Sequence, residues 1–551
     1  MLMPCLPAAA AQETASNRFD PATVMPADTG VYLELGSPGA QIEKILEMIE
    51  GTPLEDSLTE MLSQNDQEGQ NQSPILKGLL NPSMMAEFKK IDGAAVGLIS
   101  YKEDIPDFVA VVSPGESDAL KGLLLAGLSI AGTPVESPDN IQIWSIEEEI
   151  CVAYDGGKFI AANSPEILQR AISLQNKTSS EASLAAVPLF QKTSRQIRSA
   201  NVVTIWIDGR ESYRQVCRIL EDEGDSEAMA IIDTTLDLNH VDRLLVQLSL
   251  QDSGIALDAD LLLNEAHKCH AYNILKTPAL SKEGLSMLPS DTIALFSVSL
   301  GDADSASSRK AQSTLKQITG LDIGREIFAN IEQINLFAVD SRNISDLETQ
   351  PAAAVAVAIT SKDGKSTGQL LGTLLQTATK VMETVEESND PTTITEQGQY
   401  AFSVNGKTLN LYLDQKENVT VLSPSKQIIS KCFTACNNKT QRAEEGALKP
   451  VFDNMPKVPN KLVVLNAAGL IRAMEKTDVV KNIPFDMDSE KFEDFTKELQ
   501  GTNLCVRVLE KPNQCNVNIS LDGIASLKSL FPKTAKVETD RQQGDAGVAM
   551  N

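Results

Sequence analysis

The stretch Met25-Pro26-Ala27-Asp28-Thr29, followed by the apolar run VYLEL, returns as Leu288-Pro289-Ser290-Asp291-Thr292 followed by IALFSVSL, 263 residues on when Pro26 is set against Pro289. A repeat of this kind constrains the chain more than any other feature, because each copy must reach the same arrangement through the same order of elements. Further matches are collinear. YDGGKFIAANSPEILQRAI from Tyr154 aligns with LDQKENVTVLSPSKQIISK from Leu413, an offset of 259 taken from Pro165 and Pro424. VPLF at 187–190 aligns with KPVF at 449–452, and NVVTIWIDG at 201–209 with NKLVVLNAAG at 460–469. Leu244, Val246 and Leu248 fall on Leu504, Val506 and Val508, and Leu257, Ala259 and Leu261 on Val517, Ile519 and Leu521, all at an offset of 260. The register drifts to about 247 only where PDFVAVVSPGESDALKGLLLAGL meets PAAAVAVAITSKDGKSTGQLLGTLL, and the polar tract SQNDQEGQNQS at 63–73 takes up the difference as a surface loop.

The period of the apolar residues sets the elements within one copy. It predicts a strand at 31–35, a helix at 38–49, a hairpin near 93–113, a helix at 115–127, a meander through 141–162 and a helix at 164–174. A helix at 188–197, a strand at 201–207, a helix at 208–221 and a long hairpin over 242–263, turning at Gln251-Asp252-Ser253-Gly254, complete the unit. The Ser-Pro pairs at 164–165 and 423–424 suit a helix N-cap followed by proline in the first turn, where its missing amide hydrogen costs nothing. Hairpins outnumber strand-helix-strand crossovers, so the class expected is α+β: two tandem homologous modules, mainly antiparallel sheets with helices packed on one face. The expected division is a leader and signal-peptide remnant at 1–23, modules at 24–280 and 281–535, and a polar tail at 536–551.

With 75 acidic against 48 basic residues the formal charge is -27, which opposes phosphate backbones, so nucleic acid is not an expected partner. Aromatic residues make up 4% of the chain, too few for stacking platforms to be the expected binding device. The opening MLMPCLPAAAAQE carries an apolar run ending in Ala8-Ala9-Ala10, which reads as the tail of a signal peptide and predicts export to the periplasm or beyond. No later stretch reaches the roughly 18 apolar residues needed to span a bilayer. The eight cysteines are too sparse for a disulfide scaffold; Cys432 with Cys436, one helical turn apart, and Cys505 with Cys515, on two arms of a hairpin, are the pairs that could be neighbours.

The Pro-x-Asp-Thr opening, the Asp-Gly hairpin at 155–156 and the Ser-Pro helix start resemble a family of exported bacterial proteins of uncharacterised function, found in cyanobacteria and planctomycete-type bacteria, whose mature domain opens on Leu-Pro-Ala-Asp-Thr. The resemblance spans both copies. It implies an exported location and carries over no catalytic residue.

Motifs that would carry chemistry fail on spacing. A phosphate-binding loop needs glycine five residues before Gly-Lys-Ser/Thr; Gly364-Lys365-Ser366 has Ile359 there and Gly406-Lys407-Thr408 has Ala401. Gly127-Leu128-Ser129-Ile130-Ala131 approaches a nucleophile elbow with the wrong fifth residue. His267-Lys268-Cys269-His270 places two imidazoles at i and i+3 of an expected helix and is the best metal candidate, set against a plain solvated helix end. Asp258 and Asp260 project from one strand face as a possible carboxylate pair or cation site, or as an exposed polar face, with Asn518 and Ser520 as their counterparts. Glu147-Glu148-Glu149 reads as a solvated turn. The resulting expectation is an exported, non-enzymatic binding or structural protein of the envelope without a cofactor, its partner a protein, an envelope polymer or another copy of itself. The alternatives are a carboxylate-based hydrolase with its site between the modules, and a carrier of apolar ligands.

Overall fold

A computed structural model describes residues 19–36, 86–100, 106–135, 141–147, 149–194, 201–224, 232–251, 254–300, 324–340, 354–385, 398–404, 407–455, 457–475 and 499–523, with a few single positions beside these stretches. Of the leader expected at 1–23, residues 1–18 lie outside the described residues, whereas Pro21–Thr23 form a short 3-10 helix with Ala22 in the core. The polar tract at 63–73 and the tail at 536–551 lie outside the described residues, as does the helix at 38–49 except for positions 38, 41 and 44, which are helical.

The described chain is mixed α and β, built on one large antiparallel sheet of 19 strands. The first strands are β1 (Val31–Leu35), β2 (Gly93–Ser100), β3 (Asp107–Ser113), β4 (Thr133–Val135), β5 (Gln142–Ile146), β6 (Ile150–Asp155) and β7 (Lys158–Ala162). β8 (Asn201–Asp208), β9 (Val241–Gln251) and β10 (Gly254–Leu263) follow. The later strands are β11 (Thr292–Ser299), β12 (Ile331–Val339), β13 (Val355–Ser361), β14 (Gln399–Val404) and β15 (Lys407–Lys416). β16 (Val419–Ser423), β17 (Lys461–Asn466), β18 (Asn503–Lys511) and β19 (Gln514–Asp522) complete the set.

The strand pairings run β4-β5-β6-β7-β3-β2-β1-β8-β9-β10 and continue through β19-β18-β17-β11-β12-β13-β16-β15-β14. Read outward from the β10–β19 seam, the two sides repeat one order, with β4 the single strand lacking a described counterpart. At the seam nine residue pairs run from Gly254↔Asp522 to Leu262↔Gln514, and Asp258 stands opposite Asn518, its own counterpart at an offset of 260. Asn518 donates from Nδ2 to Asp258 Oδ1 at 2.9 Å.

Local contacts also recur. Thr29 Oγ1 donates to the Pro26 carbonyl at 2.7 Å and Thr292 Oγ1 to the Pro289 carbonyl at 2.6 Å, so the threonine of the opening motif closes the turn before β1 and before β11. The aspartate of the motif pairs with a cation on the following core helix: Arg170 with Asp28 at 2.9 Å, and Lys431 with Asp291 at 2.5 Å. One expectation holds on one side alone. Ser164 caps the helix Pro165–Gln175 by accepting from the Ile167 amide at 3.2 Å, whereas the helix Lys426–Asn437 starts two residues later and the Ser423 hydroxyl instead accepts from the Ser425 amide at 3.1 Å.

Each side has its own core. On one, Tyr32, Phe190 and Trp206 make two edge-to-face contacts at 5.3 Å and pack with Ile160, Leu168 and Ile172. On the other, Phe337, Leu295, Val421, Ile428, Ile429 and Cys432 fill the equivalent space. The opposite face of the sheet is apolar too. One cross-strand row passes from Leu422 on β16 through Phe296, Ile519, Leu257, Leu248 and Leu35 to Phe159 on β7 without meeting a polar residue. Antiparallel sheets that turn one face to water normally place polar residues there. Here Leu257, Ile519, Leu504, Phe296 and Leu336 each keep over a third of their surface exposed.

The seam register makes a direct prediction. N518D would set two carboxylates directly across the strand pair and lower stability by roughly 1 kcal/mol at neutral pH. Thermal unfolding should show the loss, the companion change D258N should reverse it, and acidification that protonates the pair should shrink it. An unchanged midpoint for N518D would mean that the two strands are not paired in this register.

Candidate functional site

Past Leu263 the chain folds back across the tip of the β18–β19 hairpin. The Leu263 amide donates to the Asn513 carbonyl at 2.8 Å, His267 Nε2 lies 3.1 Å from the Pro512 carbonyl, and Tyr272 Oη reaches the Gln514 carbonyl at 2.9 Å. The Thr277 amide donates to Glu510 Oε2 at 2.8 Å, Asn460 Nδ2 to the Thr277 carbonyl at 2.5 Å, and the Leu280 amide to the Pro459 carbonyl at 2.8 Å. This strap and the loop before β17 wall a cleft of about 880 Å³ over the seam strands.

The polarity of the seam is the reverse of that in the flanking cores. Along β9 the side chains on the cleft side are Arg243, Leu245, Gln247 and Ser249, while Leu244, Val246 and Leu248 lie on the other face. Asp258 and Asp260 on β10 and Gln514, Asn516 and Asn518 on β19 share the cleft side. The sequence presents the two aspartates as a solvated strand face. Asp260 is instead 7% exposed, because Arg243 from the neighbouring strand reaches it at 2.7 Å and Gln514 Nε2 donates to its other oxygen at 2.7 Å. A buried charge is tolerable only with such a partner. Arg507 forms a second network, donating to Asn518 Oδ1 at 3.0 Å and to Ser520 Oγ at 3.2 Å. Glu510 takes Lys461 at 2.5 Å.

Three lysines line the same cleft. Lys511 donates to Gln514 Oε1 at 2.7 Å. The side chains of Lys276 and Lys457 have no hydrogen bond or ion pair among the described residues. The site therefore combines carboxylates that each accept from a fixed protein donor with two ammonium groups that have no counterpart. It is suited to holding a polar ligand, and no carboxylate in it stands apart as a general base.

The other sequence candidates are placed as follows. The expected helix carrying both histidines begins only at His270, with Cys269 as its N-cap, so His267 and His270 do not share a helix face. The His267 ring stacks edge-on against Tyr272 at 5.6 Å, the His270 side chain lies outside the described residues, and no group of three metal-ligating side chains occurs among the described residues. Asp363 caps the helix Gly364–Val385, accepting from the Lys365 amide at 3.0 Å and the Ser366 hydroxyl at 2.6 Å. Its carboxylate thus sits where a phosphate loop would place its anion, and those bonds hold it below the usual carboxylate range. Gly406 lies outside the described residues and Lys407 opens β15. Ser129 is inside the helix Asp118–Ala131, its hydroxyl bonded back to the Leu125 carbonyl at 2.8 Å. Glu147 adopts a left-handed turn conformation with φ 52° between β5 and β6.

All seven described cysteines are free thiols. Cys505 pairs in register with Ser520 and Cys515 with Glu510, which puts the two sulfurs on opposite faces of the hairpin and overturns the expectation that they could be neighbours. Burial pushes Cys505 up to about 11 and raises Cys432 and Cys436 as well, so these are protonated packing residues.

A second cleft, of about 690 Å³, lies between β15 and the helix Lys426–Asn437, where Lys426 Nζ sits 4.8 Å from the centre of the Tyr412 ring. No helix among the described residues is long and apolar enough to cross a membrane. No protein-family model matches the chain, and no curated protein matches it. Among solved structures, crystal forms I and III of TP0453 are similar at 13% and 14% identity with a TM-score of 0.26, covering 46% of this chain and 81% and 83% of theirs.

The buried Arg243–Asp260 pair gives a test of how the cleft floor is held. R243M leaves the Asp260 carboxylate without its cation and should cost about 3–5 kcal/mol in chemical unfolding, while the double change R243M/D260M should recover most of that loss. Equal losses in the single and double variants would show that packing, not charge compensation, fixes the floor.

Proposed function

We propose that the chain is an exported, non-enzymatic binding protein of the cell envelope, made by tandem duplication of one α+β module with helices packed on one face of each antiparallel sheet. Its ligand site is the cleft over the seam. One observation carries this reading: the cleft gathers polar side chains from both copies, yet each of its carboxylates is committed to a protein donor. Asp258 is held by Asn518, Asp260 by Arg243 and Gln514, and Glu510 by Lys461 and Thr277. Such groups fix a shape and are poor proton shuttles, so the hydrolase alternative has less support than binding. Two modules with a shared site also account for the repeated contacts of Asp28 and Asp291.

The envelope reading is tested by cell fractionation, in which the chain should leave the cytoplasm, and by cosedimentation with purified envelope polysaccharide. S249W would fill the cleft from its floor and should abolish cosedimentation while leaving the circular dichroism spectrum unchanged. Retained binding by folded S249W would place the site elsewhere.

A second reading, a carrier of apolar ligands, draws support from the apolar row on the opposite face, with Leu257 at 36% and Ile519 at 38% exposure at its centre. It predicts saturable uptake of a fluorescent fatty acid that weakens by about tenfold in L257N, in keeping with the loss of one buried leucine. Uptake that never saturates would remove this reading.

A further inference from the structure

The seam cleft also has a charge signature, and this inference rests on its being the ligand site. In a chain of formal charge -27, the charged side chains lining the cleft that have no partner among the described residues are both cationic, Lys276 and Lys457. They come from segments tied together: the Asn460 to Thr277 bond at 2.5 Å and the Leu280 to Pro459 bond at 2.8 Å join the strap bearing Lys276 to the loop bearing Lys457. Both lysines therefore belong to one wall, next to Lys511 at the hairpin tip. Of the acidic groups nearby, Asp260 and Glu510 are neutralised by Arg243 and Lys461, and Asp258, bonded to the uncharged amide of Asn518, is the one carboxylate of the described lining without a cation, set against three lysines. Away from that wall the lining includes the uncharged donors and acceptors Gln247, Ser249 and Asn516, beside Asp258 and Asp260. None of the described lining residues is aromatic; Leu245, Val458 and Leu509 add an apolar part, and the groups that can orient a ligand are hydrogen-bonding and charged ones.

We infer that the cleft binds a sugar acid, its carboxylate held at the Lys276–Lys457 wall and its hydroxyls against Gln247, Ser249 and Asn516. A carboxylate suits ammonium donors through charge-assisted hydrogen bonds, and a polyhydroxylated body suits a lining of amides and a hydroxyl. The acid is either free or a residue of a polymer, and the two sources differ in how affinity grows with length.

Calorimetric titration of the full chain decides the matter, with galacturonate, a galacturonate oligomer and neutral galactose as probes. Galacturonate should bind, galactose should bind about tenfold or more weakly, and K276Q/K457Q should lose galacturonate by a similar factor, as expected for charge-assisted contacts at a partly open site. Affinity should also fall with added salt. A tighter oligomer identifies the polymer as the source, and equal affinities identify the free acid; both agree with the inference. Equal binding of galactose and galacturonate, or unchanged binding by K276Q/K457Q, would overturn the acid class while leaving the cleft as the ligand site. Galacturonate binding that survives in folded S249W would overturn the cleft itself. Failure of all three probes to bind overturns the sugar-acid inference, and the polysaccharide cosedimentation then decides the broader reading by itself.

Discussion

The β10–β19 ladder is the interaction on which the rest of the described structure depends. Both strands would otherwise end their half of the sheet with a row of unpaired amides and carbonyls, and an exposed edge of this kind recruits other strands. Pairing them turns two sheets into one and brings the strap after Leu263 onto the hairpin of the other half. It also creates the cleft, which has a floor only because β9, β10, β19 and β18 lie side by side. The polarity of that floor follows from its position. The two cores lie to either side, so the seam strands have no apolar layer to meet on the cleft side, and charged and amide side chains take their place in hydrogen-bonded networks.

Much of this was legible in the residues. The alternation of Leu244, Val246 and Leu248, repeated at Leu504, Val506 and Val508, is that of long hairpins, and the opening Pro-x-Asp-Thr motif marked the entry to β1 and β11. What could not be read was partnership between distant strands. Nothing local to Asp260 says that it is buried; the signal was Arg243, a cation two residues along the same strand from the core residue Leu245. The histidines misled for a related reason. The spacing of His267 and His270 fits a helix, but the Asn264 turn and the contact with Pro512 delay the helix until His270. Likewise, two cysteines on facing arms of a hairpin were read as possible neighbours, whereas their positions in the register put them on opposite faces.

The proposed duplication accounts for a cleft that is chemically lopsided although the strand order around it is repeated. Under that proposal two copies of one module would begin with identical side chains at the seam, and an aspartate facing its own twin across the strand pair is unfavourable. Asn518 opposite Asp258 removes that repulsion and replaces it with a hydrogen bond. Copies joined in this way would be free to diverge, and Arg507 with its network stands at an offset of 260 from Gln247.

The seam has one more property, which concerns number. Because Asp258 pairs with its own counterpart, the contact is self-complementary, like the interface of a twofold dimer, and not head-to-tail. A head-to-tail edge leaves a new edge of the same kind after every addition, so repeats can accumulate into a filament or solenoid. A self-complementary edge is consumed by the first pairing. For modules duplicated as we propose, growth through this surface would therefore stop at two, and a third would have to find a different surface or remain unpaired.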